Sequence, residues 1–372
     1  MGLAGGSGRT QAARRSLEGL GFERIAADER GKGQRMITSQ AGTRRTSTRG
    51  GLAVVLVALG LCLSACGSGS SAKKQARETA ANDAADQATA YVRLGDAQAA
   101  LQEFERAIEL NPLMTRAYVG AGDASQDLDD PAAAEVFYTK ASELDPDNPR
   151  IHFKRGQVLQ ALNRVSEAIR AYLTSLEIDP TDVPANINIS VAYMQVEEPR
   201  LARPFAERAV FVEPYSAAAR INLGSIYAAL DEHRKAVDEY QQAAELVDPI
   251  PAELLVNLAE SLRVLGEDAQ AVNVLDQLLR DNESALAWER RGAAMFRLSD
   301  YEGAATSFER ALELDDDHYP ALNGLAVLRL NEFLRSGQTD NVALEQALDH
   351  FRRSLRIEHR QPKVRELLSR FS

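Results

Sequence analysis

The side chains of this 372-residue chain that could do chemistry do not converge in the sequence. The five histidines, His152, His233, His318, His350 and His359, lie far apart, and none has a second ligand four residues on, as a helical metal site needs. The run Asp315-Asp316-Asp317 lacks the alternating ligands and closing glutamate of a calcium loop. Gly95, Gly122, Gly156, Gly224, Gly266 and Gly292 are dispersed rather than gathered into a phosphate-cradling turn. No enzyme active site, no metal or cofactor and no small-molecule substrate is therefore expected. One polar pattern does recur: Asn188, Asn222 and Asn257, preceded by Ile187, Ile221 and Val256, at spacings of 34 and 35 residues. A carboxamide donates and accepts at once, so a row of them can pair with the backbone of an extended peptide whatever its side chains.

Cysteine chemistry is narrow as well. Two cysteines allow one disulfide at most. Both close a short apolar run, Gly51 to Ala65, which follows Arg44, Arg45 and Arg49. A spanning helix needs roughly 18 to 20 apolar residues, so this shorter run reads as the apolar region of a secretory signal. The end of that run, Leu63-Ser64-Ala65-Cys66-Gly67, resembles the lipobox of bacterial lipoproteins. The resemblance implies lipid attachment at the Cys66 thiol and cleavage before it, leaving Cys66 as the first mature residue and discarding Cys62. Residues 67 to about 80, opening Gly67-Ser68-Gly69-Ser70-Ser71, then read as a flexible tether. Residues 1–35 precede everything such a leader requires, which makes 36–65 the expected signal peptide and Met36 the expected start.

Charge separates this head from the rest. Residues 1–65 carry ten Lys/Arg against four Asp/Glu, so the remaining chain holds a net charge of -17 within an overall -11. A surface that acidic is a poor match for phosphates, and nucleic acid is excluded as a partner. Aromatic residues make up only 6% of the chain and alanine is abundant, which favours closely packed helices over a sheet.

The helices must repeat. Pro112, Pro146, Pro180 and Pro214 lie 34 residues apart, each after an acidic or amide residue, and Asp248-Pro249 follows. Ala100, Ala134, Ala168, Ala202 and Ala236 recur in step, and so do Phe104, Tyr138, Tyr172, Ala206 and Tyr240. From Ala285 the residues Trp288, Gly292, Tyr301, Ala304, Phe308 and Ala311 follow in the same register. This pattern resembles the tetratricopeptide repeat, a pair of antiparallel helices in 34 residues. The resemblance implies an all-α tetratricopeptide-repeat α-solenoid, a right-handed superhelix of helix pairs behind an N-terminal signal segment. Eight copies are expected over 81–361, starting near Ala81, Thr115, Pro149, Val183, Ala217, Ala252, Ala285 and Tyr319, with a closing helix over 362–372. Neighbours must stack, because one helix pair cannot bury both of its faces.

Departures from the pattern are expected to show. Pro204 falls inside a second helix and predicts a late start or kink, and Ser190 replaces the fourth glycine. Residues Leu334 to Asn341 should lengthen the turn of the eighth repeat by about eight positions.

By the same resemblance, the first helix of each pair lines a concave groove. The candidate peptide-binding residues are then Asn188, Asn222, Asn257, Ile187, Ile221, Val256 and Met194, with mixed charge from Arg116, Asp123, Arg150, Lys154, Arg290 and Arg297. The alternative reading of the asparagines is structural, holding adjacent first helices together. The function implied is a non-enzymatic adaptor of the bacterial envelope that holds a protein or peptide partner and is anchored to a membrane through Cys66. By the resemblance to lipoproteins, Gly67 after that cysteine, in place of the aspartate of inner-membrane retention, implies an outer membrane where the cell has two. The resemblance implies a role of the kind such lipoproteins play, helping to assemble secretins and pili or recruiting cell-wall enzymes. The alternative function is an accessory or substrate-presenting subunit of an envelope glycosyltransferase or peptidase whose catalysis lies on another chain. Direct glycan binding would want a groove rich in exposed aromatics, which Phe153 and Phe296 alone do not supply. The leader makes a direct prediction: the N-terminal sequence of the unprocessed precursor should begin at Met36, and a start upstream of it would contradict the reading.

Overall fold

The computed structural model describes residues 69–372. The expected leader, the segment upstream of it and Cys66 lie outside the described residues. Every element among the described residues is helical. They form two compact units, the first ending at Asp248 and the second spanning Pro249–Ser372.

The first unit contains α1 (Gly69–Leu94), α2 (Ala97–Leu110), α3 (Thr115–Asp127), α4 (Pro131–Leu144), α5 (Pro149–Ala161), α6 (Val165–Ile178), α7 (Val183–Gln195), α8 (Pro199–Val212), α9 (Ala217–Ala229) and α10 (His233–Ala244). The second contains α11 (Ala252–Val264), α12 (Asp268–Asp281), α13 (Ala285–Arg297), α14 (Tyr301–Leu314), α15 (Tyr319–Arg335), α16 (Asn341–Ile357) and α17 (Pro362–Phe371). Within each unit every helix packs on the next, and first helices also touch one another, α5 on α7 and α7 on α9 in the first unit, α13 on α15 in the second. Each unit is thus a stack of helix pairs, the solenoid arrangement of this repeat.

Local chemistry sets the ends of the helices. Asp96, Asp130, Asp182 and Ser216 in the first unit, and Ser284, Asp300 and Asp340 in the second, accept from the backbone N–H three residues on, satisfying one of the donors a helix leaves open. Inside each of the first seven pairs the chain turns through one residue in the left-handed region, at φ between 57° and 75°, and inside the eighth through two, Gly337 and Gln338. Gly95 and Gly266 take it without a Cβ penalty, whereas Asp129, Asn163, Glu197, Asp231 and Ser299 carry a side chain there. The N–H that follows reaches back across the last turn, as Arg164 does to the Leu159 carbonyl at 2.8 Å and Asp300 to that of Met295 at 3.0 Å.

One interlock recurs in the core. Counting from the start of the repeat, a glycine at position 8 faces an aromatic ring at position 24 in the second, third, fifth and seventh repeats, whereas the sixth pairs Ala259 with Leu275. A Cβ placed on Gly156 would lie 2.5 Å from the Tyr172 ring, on Gly224 2.6 Å from Tyr240 and on Gly292 2.8 Å from Phe308, all closer than carbon atoms approach. Those three rings are fully buried. The fourth repeat exchanges both partners. Its glycine is Ser190 and its ring is Ala206, each with no exposed surface, and the aromatic mass moves one residue back to Phe205, which stacks on Tyr193 at 5.8 Å.

Three expectations are corrected. The Gly/Ser segment read as a flexible tether is helical from Gly69, because Ala72, Lys73, Lys74, Gln75, Ala76, Arg77 and Glu78 are all strong helix formers. Its residues 71–80 are exposed, and burial begins at Ala81, the point where the first repeat was expected to open. Pro204 neither delays nor interrupts α8, which starts at Pro199 and continues through it. Pro199 occupies the first helical turn, where its missing N–H is no loss, and the carbonyl that Pro204 fails to bond belongs to exposed Arg200, where water can reach it. The insertion in the eighth repeat is absorbed largely by longer helices, 17 residues each in α15 and α16, which leaves a turn of five residues, 336–340.

The interlock predicts a coupled pair of substitutions. Ala206→Tyr alone should destabilise by about 1 to 3 kcal/mol through overpacking against Ser190. In a denaturant-unfolding cycle Ser190→Gly should cost less in the Ala206→Tyr background than in the native one, and strictly additive effects would contradict the pairing.

Candidate peptide-binding face

The first helices of the first unit present a polar seam, and most of its charged groups are already engaged within the protein. On α3, Arg116 donates to Asp86 at 2.9 Å and to the Asn82 side chain at 2.8 Å, both on α1. On α5, Lys154 pairs with Asp123 of α3, where the Tyr138 hydroxyl also bonds. Burial, reinforced by the Asp123 carboxylate, raises the Tyr138 hydroxyl above the ordinary tyrosine range, so it stays a donor. Further along, Gln160 of α5 donates to Gln195 of α7 at 3.0 Å. These bonds join one repeat to the next on the face where a free groove charge was expected.

The candidate asparagines differ among themselves. Asn222 on α9 donates to the Ser190 hydroxyl on α7 at 2.6 Å, and that hydroxyl donates in turn to the Ile187 carbonyl at 2.7 Å. Asn222 therefore links adjacent first helices, as the structural alternative requires, while its side-chain oxygen makes no hydrogen bond to another described residue. Asn188 on α7 is half-buried and its amide has no hydrogen-bond partner among the described residues. The same is true of Asn257 on α11, in the second unit. Of the apolar candidates, Ile187 packs on Val183, Ala209 and Ala219, and Val256 packs with Leu255, Ala259 and Ala287, so both contribute to the joints between repeats. Ile221, next to Asn222 in sequence, and Met194, six residues beyond Asn188 on α7, are half-buried.

The second unit shows the same economy of charge. Arg297 bonds Asp268 at 2.8 Å, and Arg291 bridges Asp276 at 2.5 Å and Ser307 at 2.7 Å. Arg290 stands apart, with its Nη1 buried and without a hydrogen bond. Phe153 packs against Tyr172 at 5.9 Å and Phe296 against Tyr301 at 5.4 Å, so neither ring is a free sugar platform. Among the described residues, no three His, Cys, Asp or Glu side chains gather where an ion could be held, and no helix is long and apolar enough to cross a membrane.

Sequence reasoning located the asparagines but missed what holds two of the seams together. Ser190 registered as a lost glycine, although it is the acceptor of the Asn222 bond. Asp123 and Lys154 registered as loose charge, although they are partners. The missing signal was available as spacing, because both pairs sit close to one repeat apart, 31 residues for Lys154 and Asp123 and 32 for Asn222 and Ser190.

Comparison with known proteins follows the same lines. Three family models, each described as Tetratricopeptide repeat, match this chain over residues 91–152 and 126–185, over 188–251 and over 285–318. RNA polymerase II-associated protein 3 of Xenopus tropicalis is 31% identical over 118 residues, 32% of this chain and 18% of that protein. The heat-shock protein cognate co-chaperone sgt12 of Aspergillus fumigatus is 32% identical over 98 residues, 25% of this chain and 27% of its own length. The chain thus spans only 18% and 27% of the length of these two curated relatives. Among solved structures, a tetratricopeptide repeat protein of Parabacteroides merdae is 18% identical with a TM-score of 0.49, over 67% of this chain and 99% of that one. PilF of Pseudomonas aeruginosa is 20% identical with a TM-score of 0.48, over 55% and 93%. Likenesses of this size assign no partner.

The seam has a measurable strength. Asn222→Ala should lower the unfolding free energy by about 0.5 to 1.5 kcal/mol through the lost inter-repeat bond. Asn188→Ala should leave it within about 0.5 kcal/mol. Equal losses would show that Asn188 is a structural link as well.

Proposed function

The chain belongs to the tetratricopeptide repeat family, and from that premise we propose that it is a non-enzymatic adaptor, lipid-anchored at Cys66 in a bacterial envelope, that holds an extended peptide or protein partner on its first-helix faces. The observation that carries this reading is the unengaged amide of Asn188. On the first-helix seam of the first unit, Arg116, Lys154 and Asn222 all bond to the preceding repeat, and Asn188 does not. A carboxamide left half-buried and unbonded gains more from a partner's backbone than a water-exposed one, because part of its desolvation has already occurred. Asn222 keeps its side-chain oxygen as an acceptor one repeat on. Two amides a repeat apart can then bond main-chain groups without reading side chains, while the half-buried Ile221 beside Asn222 offers apolar contact. Asn257, flanked by Val256, is the corresponding amide of the second unit.

The adaptor reading is supported by the way Arg116, Lys154, Asn222 and Arg297 pair with side chains of neighbouring helices instead of converging on an open cleft. The anchor reading rests on the lipobox-like residues Leu63 to Cys66 after a cationic and apolar leader. A single lipid group gives only marginal attachment, so anchoring through Cys66 would rely on more than one acyl chain.

Crosslinked pull-down of the lipidated protein from its own envelope tests the reading. Asn188→Ala should cut recovery of the captured partner by about tenfold, from one lost backbone-directed hydrogen bond, with thermal unfolding unchanged. Undiminished capture by the triple variant Asn188→Ala, Asn222→Ala, Asn257→Ala would exclude the amides as the recognition element.

A further inference from the structure

The outer face of α8 differs from those of its neighbours. On α6 that face shows Arg170 and Glu177, and on α10 Asp238 and Gln241, as expected where a helix meets water. On α8 it shows Leu201, Pro204 and Phe211, and Tyr215 follows in the turn beyond the helix. Phe211 and Tyr215 are each 84% exposed and Leu201 50%. Along a helix of 3.6 residues per turn, positions 201, 204, 208 and 211 share one side, and 200 lies next to 204. That side therefore mixes the apolar stripe with the guanidinium groups of Arg200 and Arg208.

Charge on this face is locally reversed. Glu207, at its margin, lies 3.6 Å from Arg203 and accepts from the Tyr227 hydroxyl at 3.1 Å, so it is already compensated. Glu198 and Glu213 cap the two ends of α8 and lie off the stripe. Arg200 and Arg208 have no ion-pair partner among the described residues. The chain from residue 66 onward carries a net -17, and an anionic surface repels most of it. A face with two free cations among exposed rings is where such a surface can approach. The guanidiniums suit phosphate oxygens, and phenyl and phenol rings suit the boundary between headgroup and acyl chain. Two copies of the same face would bring like charges together, which argues against self-association through it.

We propose that the outer face of α8, with Tyr215, docks onto an anionic phospholipid surface. The proposal rests on the anchor reading of Cys66, which holds the protein within reach of a bilayer and converts a weak contact into an intramolecular one. Docking orients the first unit by a second attachment, about 130 residues along the chain from the anchor, and leaves the first-helix seam to its partner.

The test uses the full lipidated chain carrying Phe211→Trp, reconstituted on phosphatidylcholine vesicles with and without phosphatidylglycerol and with bromine-labelled acyl chains. Trp288, the single native tryptophan, is subtracted using the unsubstituted chain. The reporter should shift to the blue and be quenched by brominated lipid only when phosphatidylglycerol is present. Arg200→Gln with Arg208→Gln should weaken that docking equilibrium roughly 30-fold, from about 1 kcal/mol per cation, without releasing the chain from the vesicles. A chain that sediments with vesicles while its reporter stays unquenched overturns the docking proposal and leaves the anchor standing. Failure of the chain to sediment at all, with its leader processed, overturns the anchor and with it the docking. A blue shift without lipid quenching assigns the face to a contact between copies of the chain and also overturns the proposal.

Discussion

The contact between a glycine and a ring is the constraint on which the rest of the molecule depends. Where Gly156, Gly224 and Gly292 meet Tyr172, Tyr240 and Phe308, even one added carbon would overlap the ring. The missing side chain on the first helix leaves room for the ring of the second at that level, and the contact fixes the register of the pair. Alanines at the flanking levels, Ala168, Ala171 and Ala304 among them, extend the same close approach. Once the pair is locked, each unit grows by repetition, and the acidic or serine caps and left-handed turn residues merely end each helix where the lock requires.

Because the lock occupies the buried faces, individuality is confined to two places, the first-helix seam and the outer faces of the second helices. The fourth repeat departs in both. Its lock is rebuilt as Ser190 against Ala206, with Phe205 and Tyr193 supplying the bulk. The hydroxyl so introduced becomes the acceptor for Asn222, and the same repeat carries the unbonded Asn188 and the apolar outer face of α8. A substitution in the core of one repeat thus changes the polar chemistry of the surface beside it.

The fold was highly legible in the sequence because close packing leaves a periodic mark. Proline, alanine and ring positions spaced by 34 residues place the starts of α3, α5, α7, α9, α11, α13 and α15, from Thr115 to Tyr319. Legibility fell where a residue's role depends on its neighbour one repeat away. Lys154 and Asp123 read as groove charges although they neutralise one another, and Arg297 read the same way although Asp268 holds it. Pro204 read as a break because the sequence does not reveal that Arg200, whose carbonyl it leaves without its helical donor, is exposed. Glycine and serine around residue 69 read as a spacer because composition at the start of a segment outweighed the helix formers that follow. The exposed face of α8 left no periodic signal, since nothing in the 34-residue pattern depends on it.

The central functional claim is that a partner lies along the first-helix seam at Asn188. It is tested most directly by a photo-crosslinking side chain replacing Val191, one turn along α7 from Asn188 and itself half-buried, with the same group replacing exposed Arg170 on α6 as a control. Irradiation of living cells should yield a single discrete protein adduct at 191 and none at 170. Equal adducts at both sites, or adducts at 170 alone, would contradict the assignment of the seam as the binding surface.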